Sequence, residues 1–172
     1  MHSIAWWPTL IVMVIATIWD IRSRRIPNWL VVPFLVAGVI VSVATHGWRG
    51  LGQSLSGIVL AASLLGVLYW LGGMGMGDVK LCAAIGAWIG PAQLGLALVV
   101  MGVAGGVMAL IWAICGGFLK ESLSGAGDLV FGLGKRGFRP HPTLVLGNRC
   151  ARKMPYAPAI AIGTIFSFLA LP

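Results

Sequence analysis

Between Arg49 and Asp78, and again between Lys80 and Lys120, the chain carries no charged residue. A helix of about 20 apolar residues crosses the hydrocarbon core of a bilayer, and runs of that order recur along the sequence. Lipid gives backbone N–H and C=O groups no partner, so a spanning segment must satisfy them as a helix or in a closed barrel. The alternating polarity of barrel strands is absent, which leaves helices. Of the 172 residues, 59% are hydrophobic and 9% charged, whereas a soluble domain carries about a quarter charged residues. The sequence therefore reads as one all-α membrane domain. Its 25 glycines suit close helix contacts in lipid.

Six apolar segments can be drawn, at about 4–20, 28–45, 51–71, 77–89, 92–119 and 155–172. The fourth and fifth are separated at "IGPAQ" (89–93), where Gly-Pro ends one helix and opens the next. The first segment has no basic leader and runs directly into "DIRSRRIPN" without a small-residue cleavage pattern, so it reads as a retained span. Residues 120–153 form the one polar segment, rich in glycine and basic residues, and are expected as a loop between the fifth and sixth helices, lying partly on the membrane surface.

The formal net charge of +8 follows from topology rather than from nucleic-acid binding, because the basic residues sit in loops and form no aromatic-interleaved face. With six helices, the 1–2, 3–4 and 5–6 connections share one side. That side receives Arg22, Arg24, Arg25, Lys80, Lys120, Lys135, Arg136, Arg139, Arg149, Arg152 and Lys153, and the other side only Arg49. The positive-inside rule makes the first side cytoplasmic and places both termini outside. Cys82, Cys115 and Cys150 are isolated; no disulfide framework, metal site or cofactor is indicated.

Four acids are present: Asp20, Asp78, Glu121 and Asp128. The last two lie in the polar segment and read as solvated. Asp20 ends the first helix and Asp78 begins the fourth, so the topology puts both at the cytoplasmic membrane edge, where an ionisable residue is costly and marks function. Simpler roles compete. Asp78 could be a helix N-cap, and Asp20, which opposes the dipole of its own helix, could pair with Arg22 or Arg24. If packing brings the two together, however, they can share one proton, the ionised carboxylate taking a proton from water while the protonated one polarises a carbonyl. That is aspartic peptide hydrolysis. Gly75 and Gly77, flanking Met76, would offer bendable backbone to an extended substrate, and Lys80 is expected on another face, reaching for headgroups. "GAGD" (125–128) repeats the GxGD pattern, but only Asp78 opens an apolar helix.

With "WDIRSRRIPN" (19–28), "GMGDVKL" (75–81) and "KMPYAPAIAIGT" (153–164) in order, the chain resembles the type IV prepilin (leader) peptidases, membrane aspartyl proteases of the GxGD class. The resemblance implies that Asp20 and Asp78 are catalytic and that Pro27 and Asn28 start the second helix. It also implies a prepilin or pilin-like substrate cut after glycine, on the cytoplasmic side of a bacterial inner membrane. The zinc-binding cysteine pairs of the longer, methylating members are missing; the short, peptidase-only form of Tad/Flp-type systems is more similar, and methyl transfer is not expected. The rival readings are an ion- or proton-coupled transporter using the same acids and a non-catalytic secretion subunit. If the peptidase assignment holds, Asp128→Ala should process a prepilin in membranes at close to the wild-type rate; its loss of cleavage would transfer the catalytic role to the second GxGD copy.

Overall fold

The computed structural model describes residues 2–71, 74–115 and 156–170. Among these the elements are α1 (His2–Ser23), α2 (Asn28–Trp70), α3 (Met76–Cys115) and α4 (Ala157–Ala170). Three of them are long and apolar enough to cross a membrane, and α4 is a shorter apolar helix. The expected polar loop at 120–153, with Glu121, Asp128 and Cys150, lies outside the described residues.

α2 has 43 residues and would be about 65 Å long if straight, twice the hydrocarbon thickness of about 30 Å. It is not straight. Gly47 interrupts it with φ 58° and ψ −136°, a left-handed conformation that glycine adopts without a Cβ penalty. The chain then doubles back, because a Cβ on Gly50 would collide with the carbonyl of Ser42; eight residues along a straight helix are about 12 Å apart. α3 breaks in the same way at Gly90 (φ 73°, ψ 178°), followed by Pro91. Helical stretches thus cover 2–23, 28–46, 48–70, 76–89, 91–115 and 157–170, close to the six segments expected. The boundary shifts fall at helix ends. α1 continues one turn past Asp20, because its last turn is still hydrogen-bonded when the charged residues begin.

α3 is the hub, with α2 and α4 packed against it, while α1 rests mainly on α4 and barely touches α2 or α3. Glycine sets the closest approaches. A Cβ on Gly57 would collide with the Gly86 carbonyl, and one on Gly163 with the carbonyl of Ala97. Around these contacts Met13, Leu65, Leu81, Ile85 and Leu94 are fully buried. Dispersion between close backbones is what holds helices together in lipid, where burial of apolar area supplies little.

The Gly90 turn creates a backbone problem that a side chain solves. Pro91 has no N–H, so the Ala87 carbonyl loses its helical donor. Ser42, 45 positions earlier, donates its hydroxyl to that carbonyl at 3.1 Å and is buried. Beside it the Trp88 indole N–H donates to the Phe34 carbonyl at 2.9 Å, and the Trp88 and Phe34 rings stack with centroids 5.2 Å apart. The indole fits because Gly38 has no side chain; a Cβ there would lie 2.7 Å from Trp88 Cδ1. Ser42→Ala should leave the Ala87 carbonyl unpaired and cost about 1–2 kcal/mol. Ser56→Ala, at an exposed hydroxyl bonded to the Gln53 carbonyl, should cost under about 0.5 kcal/mol; thermal unfolding in detergent compares the two.

Candidate active site

Asp20 lies in the last turn of α1 and is 6% exposed. Its carbonyl accepts from the Arg24 N–H at 2.7 Å, and Arg24 takes a left-handed φ of 50° just beyond the helix. That turn frees the chain to enter α2 at Pro27, which occupies the N-cap position with extended backbone (φ −73°, ψ 137°). Pro27 offers its carbonyl to the N–H groups of Leu30 and Val31 at 3.2 and 3.4 Å. The expected helix start at Pro27 and Asn28 is therefore observed.

The partner of the Asp20 carboxylate is neither Arg22 nor Arg24, both of which are exposed. Oδ2 accepts from the backbone N–H of Ala157, the first residue of α4, at 3.0 Å. A helix N-terminus has free N–H groups and the positive end of the dipole. So a carboxylate badly placed at the C-terminus of its own helix is well placed at the N-terminus of another. At the far end of the same pair, the Trp6 and Phe168 rings meet edge-on with centroids 4.8 Å apart. α1 and α4 are thereby antiparallel and pinned at both ends.

Asp78 also sits at a helix N-terminus, though not as the N-cap. Gly75 has that position, its carbonyl accepting from Asp78 N–H at 3.1 Å and Val79 N–H at 3.4 Å. Asp78 is the third residue of the first turn, and its carboxyl is hydrogen-bonded to the Gly75 N–H, the return bond of a capping box. The capping reading and the reactive reading are compatible, because the bond leaves Asp78 with further acceptor sites. The two carboxyl groups are close enough that the Asp20 charge acts on Asp78.

Two expectations for the motif change. Lys80 does not reach for headgroups; its Nζ donates to Asn28 Oδ1 at 3.2 Å, tying the start of α3 to the start of α2. Nor is Gly77 an open edge for substrate. A Cβ on it would lie 3.2 Å from Ile26 Cβ, so it serves the approach of the 24–27 turn. Met76 is 45% exposed. Gly75 stays available: a Cβ there would meet only the Asp78 carboxyl, 3.1 Å from Oδ2. Among the described residues no cluster of His, Cys, Asp or Glu could hold a metal ion.

Sequence reasoning did not place Tyr156 at the site. It directly precedes the residue whose N–H holds Asp20, and its ring lies on Gly105 of α3, where a Cβ would be 3.2 Å from Cε1. The available signal was the proline-flanked "PYAP" before an apolar run, which marks a helix start; that this start meets Asp20 is a tertiary fact.

A match to the Type IV leader peptidase family covers residues 7–114, including both aspartates. The chain belongs to this family. Its curated relatives include proteins named prepilin leader peptidase/N-methyltransferase from several bacteria. The protein from Aeromonas hydrophila is 32% identical over 106 residues, which cover 58% of this chain and 36% of that protein. Bacillus subtilis (strain 168) supplies one that is 28% identical over 162 residues, covering 91% of this chain and 52% of its own length. The one from Pectobacterium carotovorum subsp. carotovorum is 26% identical over 177 aligned positions, covering 97% and 52%. The chain thus spans between about a third and about half the length of these relatives. No solved structure matches it.

The Asp20–Ala157 bond predicts a difference between two substitutions. Asp20→Asn keeps an oxygen that can accept from Ala157 N–H and should unfold within about 0.5 kcal/mol of wild type. Asp20→Ala removes the acceptor and should be less stable than Asp20→Asn by about 1 kcal/mol, as read by thermal unfolding in detergent.

Proposed function

We propose that the chain is an intramembrane aspartic endopeptidase that removes the leader from prepilins or pilin-like proteins, with Asp20 and Asp78 as its catalytic pair. The observation that carries this reading is that both acids stand at one end of the bundle, Asp20 accepting from the Ala157 N–H at the start of α4 and Asp78 in the first turn of α3, near enough for the Asp20 charge to act on it. Relatives named as prepilin leader peptidases give the substrate class.

The chemistry follows from sharing a proton. The reaction needs one carboxyl protonated and the other ionised, a division that two facing carboxyl groups can hold. Water between them gives a proton to the ionised carboxylate as its oxygen attacks the scissile carbonyl carbon. The protonated carboxyl donates to the carbonyl oxygen, stabilising the tetrahedral intermediate. Collapse breaks the C–N bond, and the proton taken from water passes to the departing amine.

Six membrane spans complete the reading, with breaks at Gly47 and Gly90 making hairpins of α2 and α3. Exposed tryptophans support the placement, since tryptophan collects at membrane interfaces. Trp19, Trp29, Trp70 and Trp112 lie toward the aspartate end, and Trp7 and Trp48 toward the other. Trp19 and Trp29 meet edge-on at 5.7 Å beside Asp20 and Asn28. Arg22, Arg24 and Arg25 lie at the aspartate end, which by charge faces the cytoplasm of a bacterial inner membrane. A prepilin would then keep its basic leader in the cytoplasm and its apolar stem in lipid, presenting the scissile bond at the depth of the two aspartates.

Asp20→Asn and Asp78→Asn should each reduce prepilin cleavage in proteoliposomes by roughly 1,000-fold or more while retaining the fold. Cleavage persisting at the wild-type rate in either variant would remove that residue from the catalytic pair.

A further inference from the structure

The segment that joins α1 to α2 is held against the start of α3. It leaves α1 on the bond from the Arg24 N–H to the Asp20 carbonyl, at 2.7 Å, and ends at Asn28, the first residue of α2. Two contacts tie it to the first turn of α3. Ile26 packs on Gly77, where a Cβ would lie 3.2 Å from Ile26 Cβ and 3.5 Å from its backbone N. Lys80 Nζ donates to Asn28 Oδ1 at 3.2 Å; a lysine has only donors, so the amide oxygen is the acceptor. These contacts lie on either side of Asp78 in the chain. Residues two apart on a helix do not share a face. Lys80 can therefore engage α2 while the Asp78 carboxyl stays beside Gly75, its Oδ2 3.1 Å from where a Cβ would stand.

We propose that Lys80 and Asn28 are positioning residues of the aspartate pair, their hydrogen bond locking the α1–α2 turn onto the first turn of α3 and so setting where Asp20 and Asp78 stand relative to each other. The inference rests on the peptidase reading and adds to it two residues that act through the aspartates. α1 has little contact with the bodies of α2 and α3, so its end needs a local tie to the element that carries Asp78. Packing of Ile26 on Gly77 is non-directional and tolerates sliding, whereas a hydrogen bond has a preferred distance and angle and fixes the register. Asn28 is exposed and Lys80 half-buried, so the bond contributes little to stability. Rate is more sensitive, because a displacement of about 1 Å in a reacting group can cost about 100-fold.

Lys80→Met keeps an unbranched apolar stem without the donor, and Asn28→Leu keeps the side-chain outline without the acceptor. Both are compared with the double variant, with Asn28→Asp, which retains an acceptor, and with wild type. Each is the full chain in proteoliposomes, cleaving a prepilin with a glycine-terminated basic leader. The expected kcat is lower by roughly 10-fold in each single variant and no lower in the double, with KM within about twofold throughout. Asn28→Asp should stay within about threefold of wild type. Ser42→Ala, which breaks a buried bond at the other end of the hairpins, should keep the wild-type kcat despite a lower unfolding temperature, separating positioning from general loosening. A wild-type kcat in either single variant, losses that multiply in the double, or a change confined to KM overturns the inference alone. So does an Asn28→Asp kcat no better than that of Asn28→Leu, or an equal kcat loss in Ser42→Ala. Failure of the wild-type chain to cut the prepilin overturns the peptidase reading, and this inference with it.

Discussion

The hydrogen bond from the first N–H of α4 to Asp20 governs how the bundle is assembled around its acids. α1 has little contact with α2 or α3, so beyond the 24–27 turn packed on Gly77 a further element must fix Asp20 relative to Asp78. α4 does this. It is seated on α3 through Gly163, whose missing side chain lets it close on Ala97 and Met101, and it carries α1 on its other face. The position of Asp20 is thus transmitted from α3 through α4, and the contact is electrostatically favourable where Asp20's own helix offers only the negative end of its dipole.

Asp78 is placed by different means with the same physics. The first turn of α3 holds the carboxyl against the Gly75 N–H, and Lys80 ties that turn to Asn28. A carboxylate packed among helices loses hydration, and fixed N–H donors replace part of it. At the opposite end of the hairpins the demand is purely structural. Ser42 satisfies the carbonyl that Pro91 orphans, and Trp88 anchors to Phe34. Among the described residues, buried polar groups satisfy backbone at the Gly90 turn and hold Asp20 at the aspartate end, while Thr9, Thr164 and Ser167 bond within their own helices.

Local rules made the helices and their breaks legible. Charge-free runs gave the segments, Gly90-Pro91 announced its own turn, and the matched ends of the first and fourth segments brought Asp20 and Asp78 into consideration together. What stayed hidden depends on neighbours distant in sequence. The donor to Asp20 lies 137 positions away, and Lys80 finds Asn28 across 52. No periodicity encodes either. Asp78 was legible as a helix-start acid, but its place as third residue depends on Gly75 beginning the turn. Gly77 shows the same limit: its lack of a side chain was visible, whereas its use for the approach of Ile26 rather than for substrate is a packing result.

The family match ends at residue 114, before the helix that holds Asp20. That matched segment alone contains both acids and lacks the contact that orients one of them. The Pectobacterium relative aligns over 97% of this chain, which leaves too few residues outside the alignment to omit α4. In the structure α4 is no peripheral addition: its N-terminus supplies the donor for Asp20. The start of one short helix, itself seated on α3 through Gly163, thereby positions a carboxylate that lies 137 positions away in the chain.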